Sequence, residues 1–122
     1  MAVTTADFAS LLFSSRTQAH IFHLQTNSFA EHGAMDSYYN GIIPLVDGLV
    51  QSCQGIHGVY KGYTNFSLQD WISTEDTITY FKELYDAVQT QRLDLDQVSW
   101  IQNQIDEIVD LIASTLYMLS LK

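Results

Sequence analysis

The sequence predicts an all-α protein, a single four-helix bundle over residues 1–122, with a long crossover between the second and third helices. Three observations carry this. Apolar residues recur at steps of three and four along four separate stretches, which is the spacing of a buried helix stripe. Only one stretch, residues 55–73, is both long and broken by glycines, at Gly55, Gly58 and Gly62. The 122 residues suit one domain with one core.

The first helix is expected from Thr5 to Gln25. Thr4 or Thr5 can cap it, and Asp7 in the first turn suits the helix dipole. Phe8, Leu12, Ala19 and Phe22, with Ser15 between, form its stripe. Thr26, Asn27 and Ser28 make a break. Ser28 to Glu31 reads as a capping box, with serine and glutamate each bonding the other's backbone amide. The second helix follows to about Gln54. Its stripe is Met35, Tyr38, Ile42, Leu45, Leu49 and Cys53, and Pro44 inside it predicts a kink.

In residues 55–73 the stretch Ser67-Leu68-Gln69-Asp70 could start one short helical turn. Tyr60, Tyr63, Phe66 and Trp71 make this connection too aromatic for a free linker, so it should lie on the bundle. At about 3.3 Å per residue it can span a bundle about 30 Å long. The third helix starts at Ser73 or Thr74 and buries Ile78, Phe81, Leu84, Tyr85 and Val88. A short polar link leads to the fourth, capped by Asp94 or Asp96. Its stripe is Val98, Ile101, Ile105, Ile108, Ile112, Thr115 and Leu119. Short links after the first and third helices predict two antiparallel hairpins.

Fourteen acidic against five basic residues give a net charge of −9. Such a surface repels a phosphate backbone, and the lysines and arginines are scattered, so no nucleic-acid partner is expected. No apolar run approaches the roughly 18 residues that cross a bilayer. Residues 1–15 lack the pattern of a signal peptide, so a cytoplasmic protein is expected, with no membrane partner. Cys53 is the only cysteine, which excludes an intrachain disulfide and a thiolate cluster. It reads as a small buried apolar residue.

Histidines and carboxylates concentrate in His20–Asp47. His32 and Asp36 are four residues apart, hence on one helix face. A hairpin brings His20 toward them. Imidazole nitrogen with carboxylate oxygen is a ligand set for iron, zinc or manganese. Asp47 lies about 22 Å beyond His32 along a straight helix. It can share an ion with His32 only across a two-fold axis, with two copies of the second helix antiparallel. The other groups have plainer readings. His23 points about 60° away from His20 and reads first as structural, with a secondary place among the metal-ligand candidates. His57 reads as a surface or packing residue. Glu31 reads as a cap that could also supply a carboxylate. Asp106, Glu107 and Asp110 read as a solvated face.

His20, His32, Asp36 and Asp47, with Phe29-Ala30-Glu31-His32, carry a spacing that resembles the Dps branch of the ferritin-like superfamily. The resemblance implies a ferritin-like bundle and a ferroxidase site at the interface of a homodimer formed through helices 1 and 2, within a larger cage. It implies metal ligation by His20, His32 and Asp36 of one copy and by Asp47 and Gln51 of the other. Gln51 stands where the family has a bridging glutamate, and the basic N-terminal tail of some members is missing. The stretch is also similar to small ferritin-like proteins of tailed-phage genomes. Two functions follow as expectations. One is an iron-binding protein with weak Fe(II) oxidation, serving detoxification or storage. The other is a non-catalytic helical-bundle dimer that has kept the fold and lost turnover.

Overall fold

The computed structural model describes residues 2–121. Three of its four long helices begin at a side-chain cap. Helix α1, Thr5–Gln25, starts at Thr4, whose hydroxyl accepts from the Asp7 amide while the Asp7 carboxylate accepts from the Thr4 amide. Helix α2, Phe29–His57, starts at Ser28, and α3, Thr74–Gln91, starts at Ser73. A 3-10 turn over Arg92–Asp94 follows α3. Helix α4, Ser99–Ser120, starts at Val98 with no side-chain cap. Instead Asp96 accepts from the Val98 amide at 2.9 Å, just ahead of the helix. No strand occurs among the described residues, and the expected all-α, four-helix chain is observed.

Contacts between helix ends set the topology. At one end the Val3 amide donates to Asp94, and His57 at the end of α2 meets Asp96 before α4. At the other end Glu31, in the first turn of α2, accepts from Thr74 and Thr77 in the first turns of α3. So α2 and α3 run parallel. α1 packs on α2 and α3, and α4 packs on the same two, so every packed pair is antiparallel. Residues 58–73 carry the chain from the end of α2 back along α1 to the start of α3.

The stripes meet in one core. Phe8, Leu12, Ala19 and Phe22 of α1 face Met35, Tyr38, Ile42 and Leu49 of α2, with Phe81, Leu84 and Val88 of α3 and the isoleucines of α4. Ser15 is buried in the same stripe, and its hydroxyl pairs with that of Tyr38 at 2.7 Å. Burial pushes the Tyr38 phenol far above its ordinary range. Cys53 is buried, and burial raises its thiol. Val98, expected in the fourth stripe, is exposed because the helix starts after it. α2 remains one helix through Pro44.

The connection departs from expectation in two respects. Helix α2 runs on through Gly55 to His57, so the connection starts at Gly58. Residues 67–70 make no helical turn. The Gln18 side chain takes both backbone groups of Gln69, accepting from its N–H and donating to its C=O, each at 2.8 Å. A residue held that way is extended, so its carbonyl and amide are lost to a helical turn. No helix among the described residues is long and apolar enough to cross a membrane.

Candidate functional site

The C-terminal half of α1 lies antiparallel to the N-terminal half of α2, and there the histidines meet. His23 Nδ1 bonds the carbonyl of His32 at 2.8 Å, and His32 Nδ1 bonds the carbonyl of His23 at 2.8 Å. A carbonyl only accepts, so each Nδ1 carries a hydrogen, and in the neutral ring the lone pair sits on Nε2. The rings stack with centroids 3.8 Å apart and planes 19° apart. An imidazole ligand holds its metal in the ring plane. Two stacked rings therefore cannot direct both lone pairs at one ion.

His20 stacks on Tyr39 instead, with centroids 4.3 Å apart. The Arg16 guanidinium lies 5.4 Å from the Tyr39 centroid on the ring face, a cation–π contact. The Tyr39 hydroxyl donates to Asp36 Oδ1 at 3.0 Å. That bond, with slight desolvation and the Asp36 charge, holds the phenol above its ordinary range, and Arg16 opposes the rise. Asn40 donates to the backbone carbonyl of Asp36 at 2.9 Å.

The structure thus divides the residues expected to converge. His32 pairs with His23, and His20 joins Tyr39 two turns along α2. Asp36 is bonded by Tyr39. Asp47 and Gln51 are exposed further along α2. Among the described residues no three His, Cys, Asp or Glu side chains gather closely enough to hold one ion. His20, His32 and Asp36 do not form a three-ligand corner within one chain, because ring stacking sends the two imidazoles to different partners.

Glu31 also departs from its sequence reading. Ser28 accepts from the Glu31 amide at 3.2 Å, so half of the capping box forms. The Glu31 carboxylate turns inward and is 1% exposed. Its oxygens accept from Thr74 at 2.8 Å and Thr77 at 2.9 Å. It therefore fastens α2 to α3 and faces away from the histidines' solvent side. Tyr39 and Arg16 were absent from the sequence reading of the site. Their signal was positional, since Arg16 and His20 are one turn apart on α1, as are Asp36 and Tyr39 on α2.

Residues 23–119 match the family described as "Family of unknown function (DUF5856)". The chain belongs to this family. The family match covers His23, His32, Asp36, Asp47 and Gln51, and begins after Arg16 and His20. A relative in Enterobacteria phage T4, the "Uncharacterized 14.6 kDa protein in mobD-ri intergenic region", is 26% identical over 116 residues. The alignment spans 95% of this chain and 88% of that protein. No solved structure matches the chain.

Proposed function

We propose that this chain is the subunit of a ferritin-like homo-oligomer, in which two copies pair through the outer face of α1 and α2 and complete shared metal sites. One observation carries the reading. His32, Asp36 and Asp47 are all exposed on one face of α2 and span about four turns, too far for one ion. They have the layout of half-sites that an antiparallel second copy would join. The antiparallel packing of neighbouring helices, with a crossover linking the parallel, diagonal pair α2 and α3, supports a ferritin-like fold.

The donors fit such a half-site. With Nδ1–H committed to a carbonyl, His32 offers Nε2 in a fixed tautomer, the arrangement usual for metal-binding histidines. Asp36 keeps Oδ2 outside the described hydrogen bonds. Asp47 and Gln51 of a second copy would add oxygen donors. Iron is the substrate in this reading, with zinc or manganese as alternatives. Gln51 lacks the charge that a glutamate would bring to Fe(III), so binding survives better than oxidation.

Anaerobic Fe(II) titration into wild type, Gln51→Glu and His32→Ala tests this. Binding is expected in the first two and lost in the third, with faster oxidation in Gln51→Glu. Equal and negligible binding in all three overturns the metal reading. Sedimentation at micromolar concentration tests the pairing, since a strict monomer leaves Asp47 with no shared site.

The reciprocal His23–His32 clasp favours a second reading, a non-catalytic helical-bundle dimer. There the imidazoles close the α1–α2 hairpin and do nothing else. His32→Ala would then lower thermal stability, and added metal would leave the wild-type midpoint unchanged.

A further inference from the structure

Phe29 opens α2 and is the most exposed large apolar side chain among the described residues, at 91%. It does nothing for its own helix start, where Ser28 supplies the cap. A lone exposed aromatic is ordinary, so its place decides. At 100° per residue Phe29, Asp36, Asn40, Asp47, Gln51 and Gln54 share a strip about 60° wide on α2. All of them are exposed except half-buried Gln54.

The far end of the strip has the opposite shape. Gly55 and Gly58 sit beside Gln51 and Gln54, and a Cβ at either glycine would meet nothing within 4 Å. Gly58 has a positive φ, but Gly55 has none, and glycine is a poor helix former. Gln54 is held by the Tyr60 amide, which donates to its Oε1 at 3.1 Å. The strip thus carries an aromatic knob at one end and an open notch at the other. They cannot meet within one chain, because Phe29 and Gly55 are about 39 Å apart along the helix.

The register of the half-sites brings knob and notch together. With His32 of one copy level with Asp47 of an antiparallel copy, residue 29 stands level with residue 50. A helical side chain leans back over the turn before it, so the Phe29 ring comes level with positions 51 to 54 of the other copy. One large side chain set among residues of a facing helix is knobs-into-holes packing, and the two-fold makes the contact twice. Charge points to the same occupant. The helices α3 and α4 expose seven acidic residues, whereas α1 and α2 expose two, Asp36 and Asp47. A second copy of a chain with net charge −9 therefore meets least repulsion on the α1–α2 side.

We propose that Phe29 anchors a two-fold dimer, seated in the notch formed by Gln51, Gln54, Gly55 and Gly58 of a second copy of this chain. The inference rests on the pairing proposed above and adds an apolar contact that fixes its orientation and register. It needs no metal.

Sedimentation equilibrium of chelator-treated protein tests the anchor. Wild type is expected to dimerise without metal. Phe29→Ala should raise the dimer Kd at least tenfold with unchanged far-ultraviolet circular dichroism, because the side chain is exposed. Gly55→Val should do the same by filling the notch. Adding it to Phe29→Ala should cost little more, since one contact is lost only once. Oxidised glutathione tests the register, with wild type as the blank because its one thiol, Cys53, is buried. Gly33→Cys with Asp47→Cys in one chain should give a disulfide-linked dimer. Either substitution alone should not, because antiparallel copies hold like positions about 20 Å apart. A wild-type monomer would overturn this proposal together with the pairing it rests on. A dimer indifferent to Phe29→Ala, or one in which the two substitutions act independently, would overturn the knob and notch and leave the pairing standing. Linkage of either single-cysteine variant would mean parallel copies and overturn the proposal.

Discussion

Ser15 and Tyr38 share a buried hydrogen bond whose two halves are unequal. Ser15 donates to the Leu12 carbonyl at 2.7 Å, so the phenol donates to Ser15. Tyr38→Phe leaves Ser15 with its carbonyl partner and should cost about 0.5–1.5 kcal/mol. Ser15→Ala strands a buried phenol and should cost about 1–3 kcal/mol. Urea unfolding of the two variants checks the order, and the reverse order would assign the donors wrongly. Glu31 supplies a second test. Its carboxylate is buried, and Thr77, fully buried, donates to one of its oxygens. Thr77→Val should destabilise by about 1–3 kcal/mol by leaving that oxygen unpaired. No loss of stability would mean that water reaches the carboxylate. That Ser15 faces the core could be read from spacing. Its partner, 23 residues away, could not.

Helix α2 carries an exposed proline in its interior and still runs unbroken to His57. Pro44 removes one backbone donor from the helix and is costly at such a position. Pro44→Ala should raise stability by about 1–3 kcal/mol, read as an upward shift of the thermal midpoint. A lower midpoint would show that the proline is required for packing. The end of α2 is tied to the start of α4 by His57 Nε2 and Asp96 Oδ2 at 2.8 Å. The Val98 amide, and then His57, hold the Asp96 carboxyl below its ordinary value of 3.8. Because the folded carboxyl is depressed, the unfolded chain takes up the proton first as pH falls. The stabilisation is therefore present above about pH 4 and drains away below it. Asp96→Asn should flatten the acid limb of the stability profile, and an unchanged limb would remove Asp96 from the account.

For the molecule as a whole, a charge of −9 on a chain of 122 residues favours expansion of the folded state. Salt shortens the reach of that repulsion to about 10 Å at 0.1 M. The thermal midpoint should therefore rise between low and physiological ionic strength. The described ion pairs, Arg92 with Asp106 and His57 with Asp96, are too few to reverse the trend. A midpoint that falls with salt would show that these attractions outweigh the net repulsion.

Local chemistry made the elements legible in the sequence alone. Periodicity placed the four helices, their stripes and the long connection, and the caps at Thr4, Ser28 and Ser73 needed only residues three apart. Cys53 read correctly as buried for the same reason, since its stripe is local. Only the tertiary structure decided what the polar groups do. His23 and His32 stack, His20 turns to Tyr39, Glu31 reaches α3, and Gln18 straightens Gln69. Each of these depends on which rotamer a side chain takes against a partner far away in the chain. A helix periodicity states which face a residue occupies. It leaves open whether two imidazoles on adjacent faces converge on one point or lie flat against each other, because that difference lies in side-chain torsions set by the neighbouring helix.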